Sequence, residues 1–99
     1  MEQVSQQVPW LGKMRRWQRH PVDIPVRVPV TNRFSTAMIS GRGTELSAGG
    51  MGLYAGIMLN PGDLLEVEFG VPGRFRVMAV VRYCSGYWFG LEFVTPLSI

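Results

Sequence analysis

The chain alternates. Val22, Ile24, Val26, Val28 and Val30 are apolar at every second position, with Asp23, Pro25, Arg27 and Pro29 between them. Period two marks a strand with one buried face. Both prolines fall on the outward face, and a proline donates no ladder hydrogen bond, so this strand is expected at an edge or with a bulge. Thr31-Asn32-Arg33 then turns the chain. A weaker strand follows over Ala37–Leu46, interrupted by Gly41 and Gly43, and a short apolar one over Met51–Ala55. Leu65, Val67 and Phe69 alternate with Glu66 and Glu68, predicting a two-faced strand whose glutamates form a solvated face. Phe75, Val77, Ala79, Val81 and Tyr83 alternate again, although Met78 and Val80 make the second face apolar too. Trp88–Val94 is the last strand.

Between these runs stand turn signals: Asn60-Pro61-Gly62-Asp63, Pro72-Gly73 and Ser85-Gly86. Twelve glycines and seven prolines in 99 residues leave no room for long helices. Short strands at this spacing predict an all-β domain, a small antiparallel barrel or sandwich. Closure would remove the exposed edges of so small a sheet. Residues 1–12 read as a flexible N-terminal tail and residues 13–99 as a single domain. Met51, Met58 and Met78 are expected in the core, and Trp88 in the core or on the barrel surface.

Charge changes the picture because of where it lies. Lys13, Arg15, Arg16 and Arg19 stand against Glu2 alone in the first twenty residues, whereas the six basic and six acidic side chains of residues 21–99 cancel. The net charge of +3 is therefore that of one short segment. A single cysteine, Cys84, excludes a disulfide framework and a multi-thiolate metal site. A single histidine, His20, excludes a His-pair zinc site and most triad chemistry. No secretory signal is visible at the N-terminus, and no apolar run approaches the ~20 residues that span a bilayer. A soluble domain of a reducing compartment, most simply the cytoplasm, is the expectation. Neither a nucleophile–base pair nor a metal cluster is visible, so no catalytic residue, metal or cofactor is assigned and an enzyme is not expected.

Two segments carry candidate chemistry. The first is Arg15-Arg16-Trp17-Gln18-Arg19-His20-Pro21. Guanidiniums are permanently charged, donate in pairs to phosphate oxygens or to the O6/N7 edge of guanine, and stack on aromatic faces. A compact anion carrying purines would use all three properties; a solvated basic tail is the plainer alternative. Trp17 is a stacking candidate, and His20 reads as a surface imidazole. The second segment runs from Thr44 to Leu53, with Glu45, Ser47 and three glycines at 49, 50 and 52. The glycines allow positive φ and close backbone approach to a ligand. Glu45 and Ser47, two apart on a strand end, would share one face. A carboxylate there can accept the N1–H and N2–H of guanine. The plainer alternative is a glycine-rich hairpin with a locally capped turn. Cys84 reads as a small apolar filler.

Together the segments resemble the PilZ domain family. Arg15-x-x-x-Arg19 followed by Val22-Asp23-Ile24-Pro25-Val26 is similar to the family's opening, and Ser47 and Gly50 fall where its second motif, Asp/Asn-x-Ser-x-x-Gly, requires them. Leu53, Pro61-Gly62-Asp63 and Gly90-Leu91-Glu92-Phe93-Val94 extend the resemblance over roughly residues 13–95. It implies a six-stranded antiparallel split barrel that binds the bacterial second messenger cyclic di-GMP, as a monomer or homodimer. Carried over by position, Arg15, Arg16 and Arg19 would grip phosphates and guanine edges, Ser47 would hydrogen-bond the ligand, and Gly50 would let the chain pass close to it. Glu45 departs from the family's Asp or Asn by one methylene. Ordering of the arginine segment on binding would relay the signal to a protein effector, with no nucleic acid polymer and no membrane insertion involved. The alternative is a degenerate barrel that no longer binds ligand and acts through protein contacts alone.

Overall fold

The computed structural model describes residues 19–70 and 74–98. The tail expected over residues 1–12, Arg15 and Arg16, the tryptophans at 10 and 17, and the Pro72-Gly73 turn lie outside the described residues. Six strands make up the fold: β1 His20–Thr31, β2 Thr36–Ser47, β3 Gly50–Ala55, β4 Leu64–Phe69, β5 Phe75–Ser85 and β6 Trp88–Phe93. They close into one antiparallel barrel in the order β1-β2-β3-β6-β5-β4.

The alternation read from the sequence fills the barrel. Val26 and Val28 from β1, Leu65, Val67 and Phe69 from β4, Ala79 and Val81 from β5, and Phe89, Leu91 and Phe93 from β6 are buried, with Met51, Leu53 and Ala55 from β3. Two expected core residues are not there. Met58, in the β3–β4 connection, is 87% exposed, and Met78 lies on the outer face of β5. Register explains Met78, since Ala79 and Val81 take the inward positions and put their neighbour outside.

Glu68 is a second correction. Expected in a solvated face, it is only 4% exposed. Arg27 of β1 donates to its Oε1 from Nε (2.9 Å), and Arg76 of β5 donates from Nε to Oε2 at 3.3 Å. Arg27 sits opposite Glu68 across the seam that closes the barrel, and Arg76 opposite it on the other side. The hydrogen bond from Arg27 is the main cause holding the Glu68 carboxyl below its ordinary range, against the opposing effect of burial. Glu66 is half-buried and bonded to Arg76 as well.

The prolines of β1 keep their expected meaning in a closed sheet. The β1–β4 seam consists of the pairs Val26↔Phe69 and Arg27↔Glu68 alone, between Pro25 and Pro29. On the other side β1 follows β2 from Ile24↔Gly43 to Thr31↔Thr36, with a register shift between Pro21 and Ile24. Gly41 and Gly43 do not interrupt β2. A Cβ at Gly41 would lie 2.8 Å from the Tyr54 carbonyl oxygen, and one at Gly43 2.9 Å from Ile24 Cγ1. The glycines let neighbouring strands pack closely.

Candidate functional site

Register brings the chain that follows Arg19 beside the second motif. Entering the barrel, β1 places His20 opposite Leu46 and Pro21 opposite Glu45. The arginine-bearing lead-in, of which Arg19 is described, therefore reaches the fold beside the end of β2 that carries Glu45 and Ser47. Arg19 is half-buried and His20 exposed. On its other side Glu45 pairs with Gly52 of β3, across a register shift between Gly43 and Glu45. A bulge of this kind re-aims side chains and is common beside binding sites. Glu45 is half-buried, and neither it nor Arg19 makes an ion pair or side-chain hydrogen bond among the described residues.

Ser47 and Gly50 do different work from Glu45. Ser47 is 2% exposed. Its Oγ accepts from the backbone N–H of Gly49 (3.1 Å) and of Gly50 (3.2 Å), and its own proton points to the Gly50 carbonyl oxygen at 3.4 Å. It caps the two-residue turn Ala48-Gly49 between β2 and β3. The locally capped hairpin weighed in the sequence is what forms. Neither Gly49 nor Gly50 has positive φ; among the described residues that region holds Gly62 and Gly86, both in turns. The turn is instead covered by chain: Phe93 N–H donates to the Gly49 carbonyl at 2.8 Å, and Leu97 N–H to that of Ala48 at 2.7 Å. The turn is thus a rigid ledge, and two of its N–H groups are already satisfied from within.

A wall of this site escaped the sequence reading. The Trp88 indole N–H donates to Thr44 Oγ1 at 3.0 Å, and its ring meets Tyr83 edge-on at 6.1 Å. A Cβ on Gly52 would come within 2.7 Å of Trp88 Cζ2 and 2.8 Å of Thr44 Oγ1, so only glycine lets the indole lie over β3 next to Glu45. The signal available in the sequence was a glycine opposite a candidate ligand residue. Reading it needed the β2–β3 and β3–β6 registers, which depend on the bulge.

Cys84, next to Tyr83 on β5 and opposite Phe89 of β6, is half-buried. Burial is the main cause raising its thiol pKa, reinforced by the Asp63 charge. Its S–H points to the Leu59 carbonyl at 3.5 Å. Among the described residues no group of three or more His, Cys, Asp or Glu side chains is arranged to hold a metal ion. No helix there is long and apolar enough to cross a membrane.

The chain matches the PilZ domain family model over residues 13–99, and it belongs to that family. Members of the family bind ligands and regulate rather than catalyse. Among curated proteins, none matches the chain in sequence. Two solved structures share its fold at 18% identity and a TM-score of 0.62. One is the PilZ domain of CeSA from a cellulose-synthesizing bacterium, covering 81% of this chain and 83% of that one. The other is the Bacillus subtilis inhibitor of motility, MotI/DgrA, covering 85% of this chain but 44% of that one. The chain thus spans less than half the length of the second protein.

Proposed function

We propose that this PilZ domain is a receptor for cyclic di-GMP, held between the arginine lead-in and the Glu45–Gly50 end of β2. The observation that supports the reading is the pairing of Pro21 with Glu45, which brings the chain just after Arg19 beside the second motif. Arg15, Arg16 and Arg19 supply bidentate donors for phosphates and for guanine O6/N7. The uncommitted Glu45 carboxylate accepts from guanine N1–H and N2–H. Ser47 and Gly50 act first by fixing the ledge on which the ligand rests. The Ser47 proton, in the longest of its three bonds, can turn to a ligand acceptor without disturbing the two N–H groups that its oxygen holds. A lead-in ordered by the ligand changes the surface offered to a protein effector, an order–disorder switch. The domain works in the cytoplasm, with no chemical turnover.

Calorimetric titration with cyclic di-GMP, run on the chain and on Arg19→Ala, tests this. A saturable heat weakened about ten- to a hundredfold in the variant is expected, since a hydrogen bond to a charged group contributes ~1.5–3 kcal/mol. Equal affinity of the two proteins would sink the reading. A flat trace for both would favour the ligand-independent alternative.

A further inference from the structure

Beyond the seam and beyond β3, the hairpin of β1 and β2 continues as a two-stranded arm. Pairing with β4 stops at Arg27, and pairing with β3 begins at Gly41, while β1 and β2 run on together to Thr31↔Thr36. The tip is internally closed. Asn32 Oδ1 accepts from the N–H groups of Phe34 (2.8 Å) and Ser35 (3.0 Å), and the Thr31 and Thr36 hydroxyls meet at 2.8 Å. Phe34 is 87% exposed and Val30 44%.

The two outer edges of this arm differ. Asn32 N–H donates to the Ser35 carbonyl, and bonded and non-bonded pairs alternate from there along an antiparallel ladder. Pro29↔Met38 and Pro25↔Arg42 then fall on non-bonded pairs, whose backbone groups face away from the partner strand. On β1 these positions are prolines, so that edge is blunted. On β2 the residues facing away from β1 beyond the barrel are Thr36, Met38 and Ser40, which keep their N–H donors and, among the described residues, have no strand beside them. Where this edge meets the barrel lies a cleft of about 520 Å³, lined by Ser40, Gly41 and Ala55 and walled by Arg42, Tyr54 and Tyr87. Tyr54 and Tyr87 are exposed.

We infer that the free edge of β2, Thr36–Ser40, is a strand-addition site for an extended acidic segment of a partner protein, with one side chain of that segment anchored between Tyr54 and Tyr87. Main-chain bonds to an open edge supply affinity, and pockets for alternate side chains supply selectivity. Charge chooses the occupant. Arg33 at the tip makes no ion pair among the described residues, and Arg42, on the cleft wall, has the exposed Asp23 as its one ion-pair partner there. A second copy of the chain would bring the same arginines together, whereas an acidic strand would meet them with opposite charge. This site stands apart from the Glu45 end and does not depend on ligand binding there.

The test is fluorescence polarisation with a labelled heptapeptide of alternating glutamate and valine, beside its lysine–valine counterpart. Saturable, salt-sensitive binding of the acidic peptide and none of the basic one is expected. Met38→Pro, which removes one edge donor without touching the β1 ladder, should weaken it at least tenfold, and Tyr87→Ala several-fold. Should Met38→Pro fail to fold, Tyr87→Ala and Arg42→Glu carry the test. Absence of binding, equal binding of both peptides, or binding that these variants leave unchanged would overturn the inference. So would a concentration-dependent dimer in sedimentation that Met38→Pro dissolves, since the edge would then belong to a second copy.

Discussion

The same two strands, β1 and β2, end in opposite ways. At the Glu45–Gly50 end they are flanked by β3, the turn is capped by a buried serine, and residues 93 and 97 tie the loop's carbonyls down. At the Asn32–Ser35 end they leave the barrel, and a phenylalanine stands in water. A strand pair is as rigid as the neighbours that satisfy its edges. The first end suits a preformed site, whose geometry binding need not create. The second suits a surface completed by an added strand.

Substitutions in the two regions should separate them sharply. The largest effect belongs to the barrel core. Phe89→Ala should cost about 3–5 kcal/mol, comparable with the ~5–10 kcal/mol stability of a domain this size, and leave much of the protein unfolded in urea titrations. Phe34→Ala at the arm's tip should stay within about 0.5 kcal/mol of the parent. Ser47→Ala comes next: two N–H groups in a buried turn lose their acceptor, for about 1–2 kcal/mol in denaturant midpoint analysis, and cyclic di-GMP binding weakens with it. Equal costs for Ser47→Ala and Phe34→Ala would erase the contrast.

A third region, the seam, sharpens it through pH. Glu68 has a lowered pKa in the fold, so its contribution is present above the ordinary carboxylate range. That contribution is lost as pH falls through the lowered folded value. Glu68→Gln should therefore destabilise the protein near neutrality and flatten the acid limb of its melting-temperature profile. An unchanged acid limb would contradict the seam's assigned role. Smallest is the effect at Cys84, where a raised thiol pKa and partial burial predict slow alkylation by iodoacetamide at pH 8, quickening on unfolding.

Much of this was legible in the sequence, for identifiable reasons. Period two reports burial at Val26, Val28 and Leu65–Phe69 but not at Val30, which leaves the barrel on the arm, and turn chemistry at Asn60–Asp63 sets the strand limits: Asp63 N–H donates to the Asn60 carbonyl and Gly62 has φ +95°. The expected placement of Arg19 just before the first strand, and of Glu45 and Ser47 at a strand end, agrees with β1 beginning at His20 and β2 ending at Ser47. What failed was long-range. Glu68 looks solvated until Arg27, 41 residues away, is placed across the seam. The glycines of β2 look like interruptions until Ile24 and Tyr54 close in on them. Trp88 becomes part of a site wall through Thr44, 44 residues distant. Alternation specifies which face is buried, while partner identity is set by register, and bulges shift register without a strong local signature.

The most direct measurement of the central claim is amide chemical-shift mapping of the chain during titration with cyclic di-GMP. The account predicts the largest changes at Arg19, His20, Glu45–Gly50 and the Trp88 indole, with Thr36–Ser40 at the arm left unmoved. Changes concentrated at the arm, or none anywhere under saturating ligand, would contradict it.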